Sequence, residues 1–184
     1  RAALEAVDGR GHEPLEDRLG ATPGGAEALQ LVRSYAPRLF FARANGSTTG
    51  LREIAARAET VIETTGQAPV VVVDYLQKVP VPGGSDVEDE RVTVVAEGLK
   101  DLALRLHVPI VAVVAAEREG LVAGKRLRVH NLRGSSALAY EPDVILLLND
   151  KFDVVARHHL VFDLGNADRF KSWAVMTSEK NTPQ

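Results

Sequence analysis

The most informative acid in the chain stands at the end of a run of valines. The stretch Val70-Val71-Val72-Val73-Asp74-Tyr75-Leu76-Gln77 places four β-branched residues directly before a carboxylate. In an open α/β sheet, ligands bind beyond the carboxyl ends of the strands. An Asp there can hold the water shell of a Mg²⁺ ion that bridges nucleotide phosphates. Magnesium keeps several waters, so one carboxylate is enough. The same pattern also fits an acid that only caps a strand end or turn. A second candidate is the basic stretch Gly124-Lys125-Arg126-Leu127-Arg128-Val129-His130-Asn131-Leu132-Arg133, with four cationic side chains and a histidine. Such a loop could meet phosphates without reading sequence, or it could be a solvated surface loop. Few aromatics lie nearby, so backbone tracking is expected rather than base stacking.

Other polar groups carry less. His158 and His159 are adjacent in an expected strand and point to opposite faces, so they do not make a metal site together. Glu117-Arg118-Glu119 reads as a surface salt-bridged turn. Gly83-Gly84 lacks a following Lys and is no phosphate loop. Trp173 reads as core.

These groups need elements to position them. Arg1–Gly25 is rich in Gly, Pro and charge and reads as a weakly specified lead-in with one short helix. Apolar spacing predicts a helix over Ala26–Ala36, stopped by Pro37. Leu39–Ala42 is a strand candidate, and Asn45–Gly50 a loop with Thr49 as N-cap. A helix follows over Leu51–Thr64, with Ile54, Ala55, Ala58, Val61 and Ile62 on one face. Pro69–Tyr75 reads as a fully buried parallel strand, and Pro80–Asp89 as a Pro/Gly/acid loop. The clearest helix is Glu90–His107. Pro109–Ala115 and Asp143–Leu148 are further buried strands, and His159–Asp163 and Trp173–Ser178 more exposed ones. Alternating strands and helices predict an α/β fold: a mostly parallel sheet flanked by helices on both faces.

Composition sets the limits. The 184 residues are 45% hydrophobic and 26% charged, an ordinary globular balance. The net charge is −3, so any nucleic-acid role must rest on a local patch. There is no cysteine. That excludes disulfides and thiolate metal sites, and it fits a cytoplasmic location. The longest apolar runs are far too short for a bilayer, and no signal peptide is visible, so no membrane role is expected. The chain opens on Arg1, which is expected of a fragment or a processed product.

Three motifs then stand in one order: "VVVVDYLQKV", "VAEGLKDLALRLHVPIVAVV" and "NLRGSSALAYEPDVILLL". Their succession resembles DnaB-like replicative DNA helicases, over roughly Arg38 to Gln184. In that family a Walker B strand ending in D-Y-L-Q is followed by a helix, by a strand like V-P-V-V-A-L-S-Q, and by a loop like D-L-R-E-S-G-S. The resemblance implies a RecA-like P-loop NTPase core, ATP with Mg²⁺, and a homo-oligomeric, hexameric ring on single-stranded DNA. Primase or loader proteins are possible partners. It implies that Asp74 is the Walker B acid that binds metal and nucleotide. Arg133, Gly134, Ser135 and Ser136, together with Lys125, Arg126 and Arg128, would line the DNA channel. Lys180 sits where the family has the Arg of a K-x-R element that reaches a neighbour's ATP, and Asn181 and Pro183 keep its N-x-P.

The departures are as informative. The phosphate-binding G-x-x-x-x-G-K-[ST] is absent from the chain, as is the acid expected soon after it. Both are expected upstream of Arg1, and the chain alone is expected to be inactive. Ala115 stands where the family has the Gln that senses γ-phosphate, Gly134 where it has a loop Glu, and Ser178 where it has the first cation of K-x-R. The expected function is therefore an ATP-dependent DNA helicase domain acting in replication. The alternative is a degenerate, non-hydrolysing scaffold or loader module. A recombinase-like or clock-type ATPase fits the D-Y-L-Q and L-R-x-S signatures less well. The whole chain is read as one domain.

Overall fold

A computed structural model describes residues 15–122, 125–134, 136–150 and 174–182. The chain divides into two compact units, Arg1–Arg43 and Ala44–Gln184.

In the first unit, helix α1 (Leu15–Gly20) is followed by helix α2 (Gly25–Tyr35). Pro37 lies in a 3-10 turn, Ala36–Arg38, that ends the helical path. The expected strand at Leu39–Ala42 does not form. Leu39, Phe40 and Phe41 are exposed, and no described strand pairs with them. An apolar run becomes a strand only where a neighbour satisfies its backbone.

The second unit begins with helix α3 (Leu51–Thr65). Its N-cap is Gly50 rather than Thr49. The Gly50 N–H donates to Glu53 Oε2 at 3.1 Å, while the Thr49 hydroxyl accepts the Asn45 N–H at 2.8 Å and ties off the preceding loop. Gly66 closes the helix in the left-handed region, φ 69°. Strand β1 (Val71–Val73) comes next, then a 3-10 turn at Leu76–Lys78. Helix α4 spans Glu88–Leu106, two residues earlier than apolar spacing indicates, because Glu88, Asp89 and Glu90 make an acidic first turn. Strand β2 (Ile110–Ala112) pairs parallel with β1, Val71 opposite Ile110. A short helix α5 (Ala137–Tyr140) leads into strand β3 (Val144–Asp150), which pairs antiparallel with β4 (Ala174–Asn181).

The sheet expectation needs two corrections. The described strands form one parallel and one antiparallel pair, not a mostly parallel sheet. Neither paired strand is fully buried: Val73 is buried, but Val70 and Val72 of the valine run and Val111 and Val113 of the β2 segment are exposed. β-branched runs suit a covered strand, yet among the described residues a helix covers one face alone. The expected strand at His159–Asp163, the His158–His159 pair and Trp173 lie outside the described residues.

α4 organises the core. Its Val92, Val95, Ala96 and Leu99 pack with Val73, Leu76, Val79, Ala137 and Leu138. One helical turn on, Leu102 joins Ala55 and Val108. These positions repeat every three or four residues, so a single stripe of α4 buries against both α3 and the β1 end. Fully burying a valine contributes about 1.5–3 kcal/mol, and Val92 and Val95 are the most deeply buried large side chains.

Candidate functional site

Asp74 sits at the carboxyl end of β1, where the chain leaves the sheet. Leu76, in the following turn, is buried in the core and anchors that exit. Asp74 itself is exposed, and no described residue forms a hydrogen bond or ion pair with it. Its carboxylate is free for a cation in its water shell. Among the described residues no group of three or more His, Cys, Asp or Glu gathers as a metal cage. A single carboxylate of this kind is enough for a magnesium ion that keeps most of its waters.

Three residues on, Gln77 reaches across to two other segments. Its side-chain N–H donates to the Arg133 carbonyl at 2.8 Å and to the Ala115 carbonyl at 3.4 Å. Its carbonyl oxygen accepts the Ala115 N–H at 3.2 Å. The Arg133 N–H donates back to the Ala115 carbonyl at 2.9 Å. The acid-bearing turn, the end of the β2 segment and the basic loop thus meet at one amide.

The basic loop is held by two carboxylates. Arg133 Nη2 donates to Glu88 Oε2 at 2.6 Å, and this hydrogen bond, with the Glu88 charge, raises the guanidinium pKa above its ordinary value. Arg128 Nη1 pairs with Glu179 Oε1 at 2.8 Å, and the Val129 N–H donates to Glu179 Oε2. Burial pushes the Glu179 carboxyl up, but the bonds from Arg128 and Val129, with the Arg128 and Arg126 charges, outweigh it and hold the pKa below the ordinary value. Glu179 reaches the loop from the less exposed face of β4, the face of Val175 and Thr177. Ile145 faces Lys180 and Leu146 faces Ser178, so the pairing skips Glu179, and beyond this bulge Lys180 also turns to the less exposed side.

Arg126 lines a small hollow with Lys125, His130 and Asn131, and its Nε is buried without a partner among the described residues. A buried orphan donor beside an exposed lysine suits an anion. Gly134 and Ser136 continue the loop, Gly134 with φ 113° and Ser136 exposed; Ser135 lies outside the described residues, as does Pro183. A concavity runs along the α3–α4 seam, lined by Leu51, Ala55, Gly98 and Leu102, none of which belongs to the Asp74 turn or the basic loop. Glu117–Glu119 leads into a 3-10 turn, Arg118–Leu121, without the expected ion pair among the described residues.

Lys180 does not stand free on a strand end. It is half-buried, and its Nζ donates to the carbonyls of Ala139 at 3.2 Å and Tyr140 at 2.5 Å. It caps the C-terminal end of α5, where a cation is favoured by the orphan carbonyls.

Sequence reasoning missed Gln77 as a bridge, and it missed Glu88 and Glu179 as partners. The acidic first turn of α4 was a usable signal for Glu88. Nothing local marks the other two.

The model of the DnaB-like helicase C terminal domain matches residues 32–161. The chain is 30% identical over 113 residues to the replicative DNA helicase DnaB of Pasteurella multocida (strain Pm70), covering 61% of this chain and 24% of that protein. It is 30% identical over 97 residues to the replicative DNA helicase DnaB of Haemophilus influenzae, covering 52% of this chain and 21% of that one. The chain thus spans about a quarter or less of the length of these relatives. The matched stretch contains Asp74, Gln77 and the whole basic loop, and it ends before Lys180. With more than half of its residues inside that match, the chain belongs to the DnaB-like helicase C terminal domain family.

Proposed function

We propose that this chain is part of a RecA-like motor domain in an ATP-dependent DNA helicase that acts in replication as a hexameric ring. The observation that carries the reading is the exposed carboxylate of Asp74, without a partner among the described residues, at the carboxyl end of a parallel strand. Asp74 is the residue that would hold a hydrated Mg²⁺. The ion would supply charge neutralisation on the phosphates of ATP. The phosphate cradle is not in this sequence, and in this reading it comes from polypeptide outside these 184 residues.

The DNA side of the reading rests on Lys125, Arg126, Arg128 and Arg133, with Gly134, Ser135 and Ser136 completing the loop. A phosphate of single-stranded DNA would take the place of the Glu88 carboxylate that now holds Arg133, while the Arg128–Glu179 pair keeps the loop in shape. Those contacts carry no sequence information. Lys180 is the cation proposed to reach ATP in the neighbouring subunit, and doing so requires leaving the Ala139 and Tyr140 carbonyls.

That same engagement favours a second reading, a degenerate, non-hydrolysing scaffold or loader module. A lysine committed to a helix end is a structural residue. One experiment separates the two. The full-length parent is assayed for Mg-ATP turnover and for strand separation on forked DNA, with Asp74→Ala beside it. The helicase reading expects both activities, each lost in the variant while thermal unfolding is retained. Turnover that is absent in the parent, or indifferent to Asp74→Ala, refutes it.

A further inference from the structure

The β1–β2 ladder ends early. The Val113 N–H donates to the Val73 carbonyl and the Leu76 N–H to the Val113 carbonyl, both at 2.9 Å. The chain after β1 then coils into the 3-10 turn at Leu76–Lys78 and leaves the ladder. Two residues further along the β2 segment, Ala115 finds no backbone partner on the β1 side. The side-chain amide of Gln77 takes that place, accepting the Ala115 N–H and donating to its carbonyl. It then extends the connection to the carbonyl of Arg133, 56 residues away in sequence.

Only a group with a donor and an acceptor on one planar head can do this. A carboxylate at position 77 would face two carbonyl oxygens with no proton to offer. A methionine of similar length would leave the Ala115 N–H and the Arg133 carbonyl without this partner.

We infer that Gln77 is a positioning residue that couples the Asp74 turn to the Arg133 loop, so that nucleotide state alters the grip on DNA. The reasoning is geometric. Asp74 and Gln77 share one short turn whose buried Leu76 makes it move as a piece. Any shift of Asp74 toward a bound ion displaces the Gln77 amide. One hydrogen bond passes that displacement directly to the Arg133 backbone, and two more reach it through Ala115, whose carbonyl accepts the Arg133 N–H. Gln77 touches no reacting atom, so its effect falls on coupling and not on chemistry. The inference rests on the helicase reading above.

The test uses the assembled full-length parent and its Gln77→Met and Gln77→Glu variants. The single-stranded DNA Kd is measured with and without Mg-ATPγS, and ATP turnover with and without DNA. Coupling between sites commonly changes affinity by about 5–150-fold. The expected result is that this ratio falls toward one in both variants, while DNA-free turnover stays within about threefold of the parent, less than 1 kcal/mol on the barrier. A merely structural glutamine would lower all these quantities together, or only the unfolding temperature. A parental ratio retained in Gln77→Met overturns the inference and leaves the helicase reading standing. A parent with neither turnover nor a nucleotide effect on DNA affinity overturns both. Should the variants not fold, backbone hydrogen exchange in the unmutated parent decides. Ala115 and Arg133 must change protection together on adding Mg-ATPγS, and no change at either refutes the coupling.

Discussion

Gly134 supplies a demanding test of the loop geometry. Its φ is 113°, a backbone conformation that L side chains rarely adopt. A Cβ built there falls 2.8 Å and 2.9 Å from the two γ-methyls of Val92 and 3.0 Å from its Cβ. Val92 is 2% exposed and sits in the main core cluster. Its β-branched side chain has little rotamer freedom in a helix, so it cannot swing away cheaply. Gly134→Ala therefore meets two costs: a strained backbone at about 1–3 kcal/mol and overpacking at about 1–3 kcal/mol. Partial relaxation brings the expected loss to roughly 2–4 kcal/mol, read as a lower urea midpoint at unchanged m. Val92→Ala removes both γ-methyls, so the double variant should lose less than the sum of the singles, by about 1–3 kcal/mol. Full additivity, or a Gly134→Ala variant within about 0.5 kcal/mol of the parent, would refute the close approach of loop and helix. Gly134→Glu, which restores the acid that relatives are expected to carry here, should destabilise this chain rather than improve it.

The other expectations concern charge. Glu88→Gln in the parent frees Arg133 and should tighten single-stranded DNA binding, an effect that vanishes in an Arg133→Ala background. Arg133→Ala should lessen the slope of log K against log salt by about 0.7, one phosphate contact on a single strand. Arg128→Ala should lower stability more than Arg133→Ala, while DNA affinity ranks the two the other way; the reverse order in urea and binding titrations refutes that ranking. For Lys180, Ala substitution should cost about 0.5–1.5 kcal/mol of stability for each lost cap bond and lower ATP turnover, while Lys180→Arg should raise turnover. If neither variant changes turnover in the assembled parent, Lys180 is only a cap. Glu179 has a folded pKa below its unfolded value of about 4.3. Its stabilising share is present above that value and is lost as pH falls through the lower, folded pKa. Glu179→Gln should flatten stability against pH in that acid range and leave the neutral-to-basic profile unchanged.

Local pattern reached the helices and the acid. Ala55 and Ala58 on α3, and Val92 through Leu102 on α4, follow a 3.6-residue period that any window of the sequence contains. The place of Asp74 at the end of β1 was legible because a strand end and its acid are neighbours. The faces of β1 and β2 were not, since a run of valines looks the same whether one side or both sides are covered. Leu39–Ala42 misled for a related reason: propensity proposes a strand, but a partner makes one. The bridges at Gln77, Arg128 and Arg133 span 56, 51 and 45 residues. Their partners are ordinary surface types, and no spacing rule connects them. Glu179 keeps the alternation of Val175 and Thr177 on the less exposed face of β4, but which loop that face meets depends on contacts some 50 residues away and leaves no trace in composition.

The two acids on the basic loop differ in a way that bears on how it works. Glu88 lies in the first turn of α4, where the helix dipole favours a negative charge whether or not an arginine is present. Its side chain is 31% exposed and that of Arg133 is 50% exposed, so water can replace either partner when the pair opens. Glu179 has no helix end behind it. Its side chain is only 13% exposed, and its second oxygen already accepts the Val129 N–H. Taking Arg128 away leaves a largely buried carboxylate with one partner fewer, and uncompensated buried charge is costly. The Arg133 pair is therefore the one that a phosphate can open at little cost, and the Arg128 pair is the one that holds the loop in shape. Gln77 grips the backbone of Arg133, the arginine whose side chain is most easily released. The fold thereby keeps the position of Arg133 tied to the Asp74 turn while its guanidinium remains free to change partners.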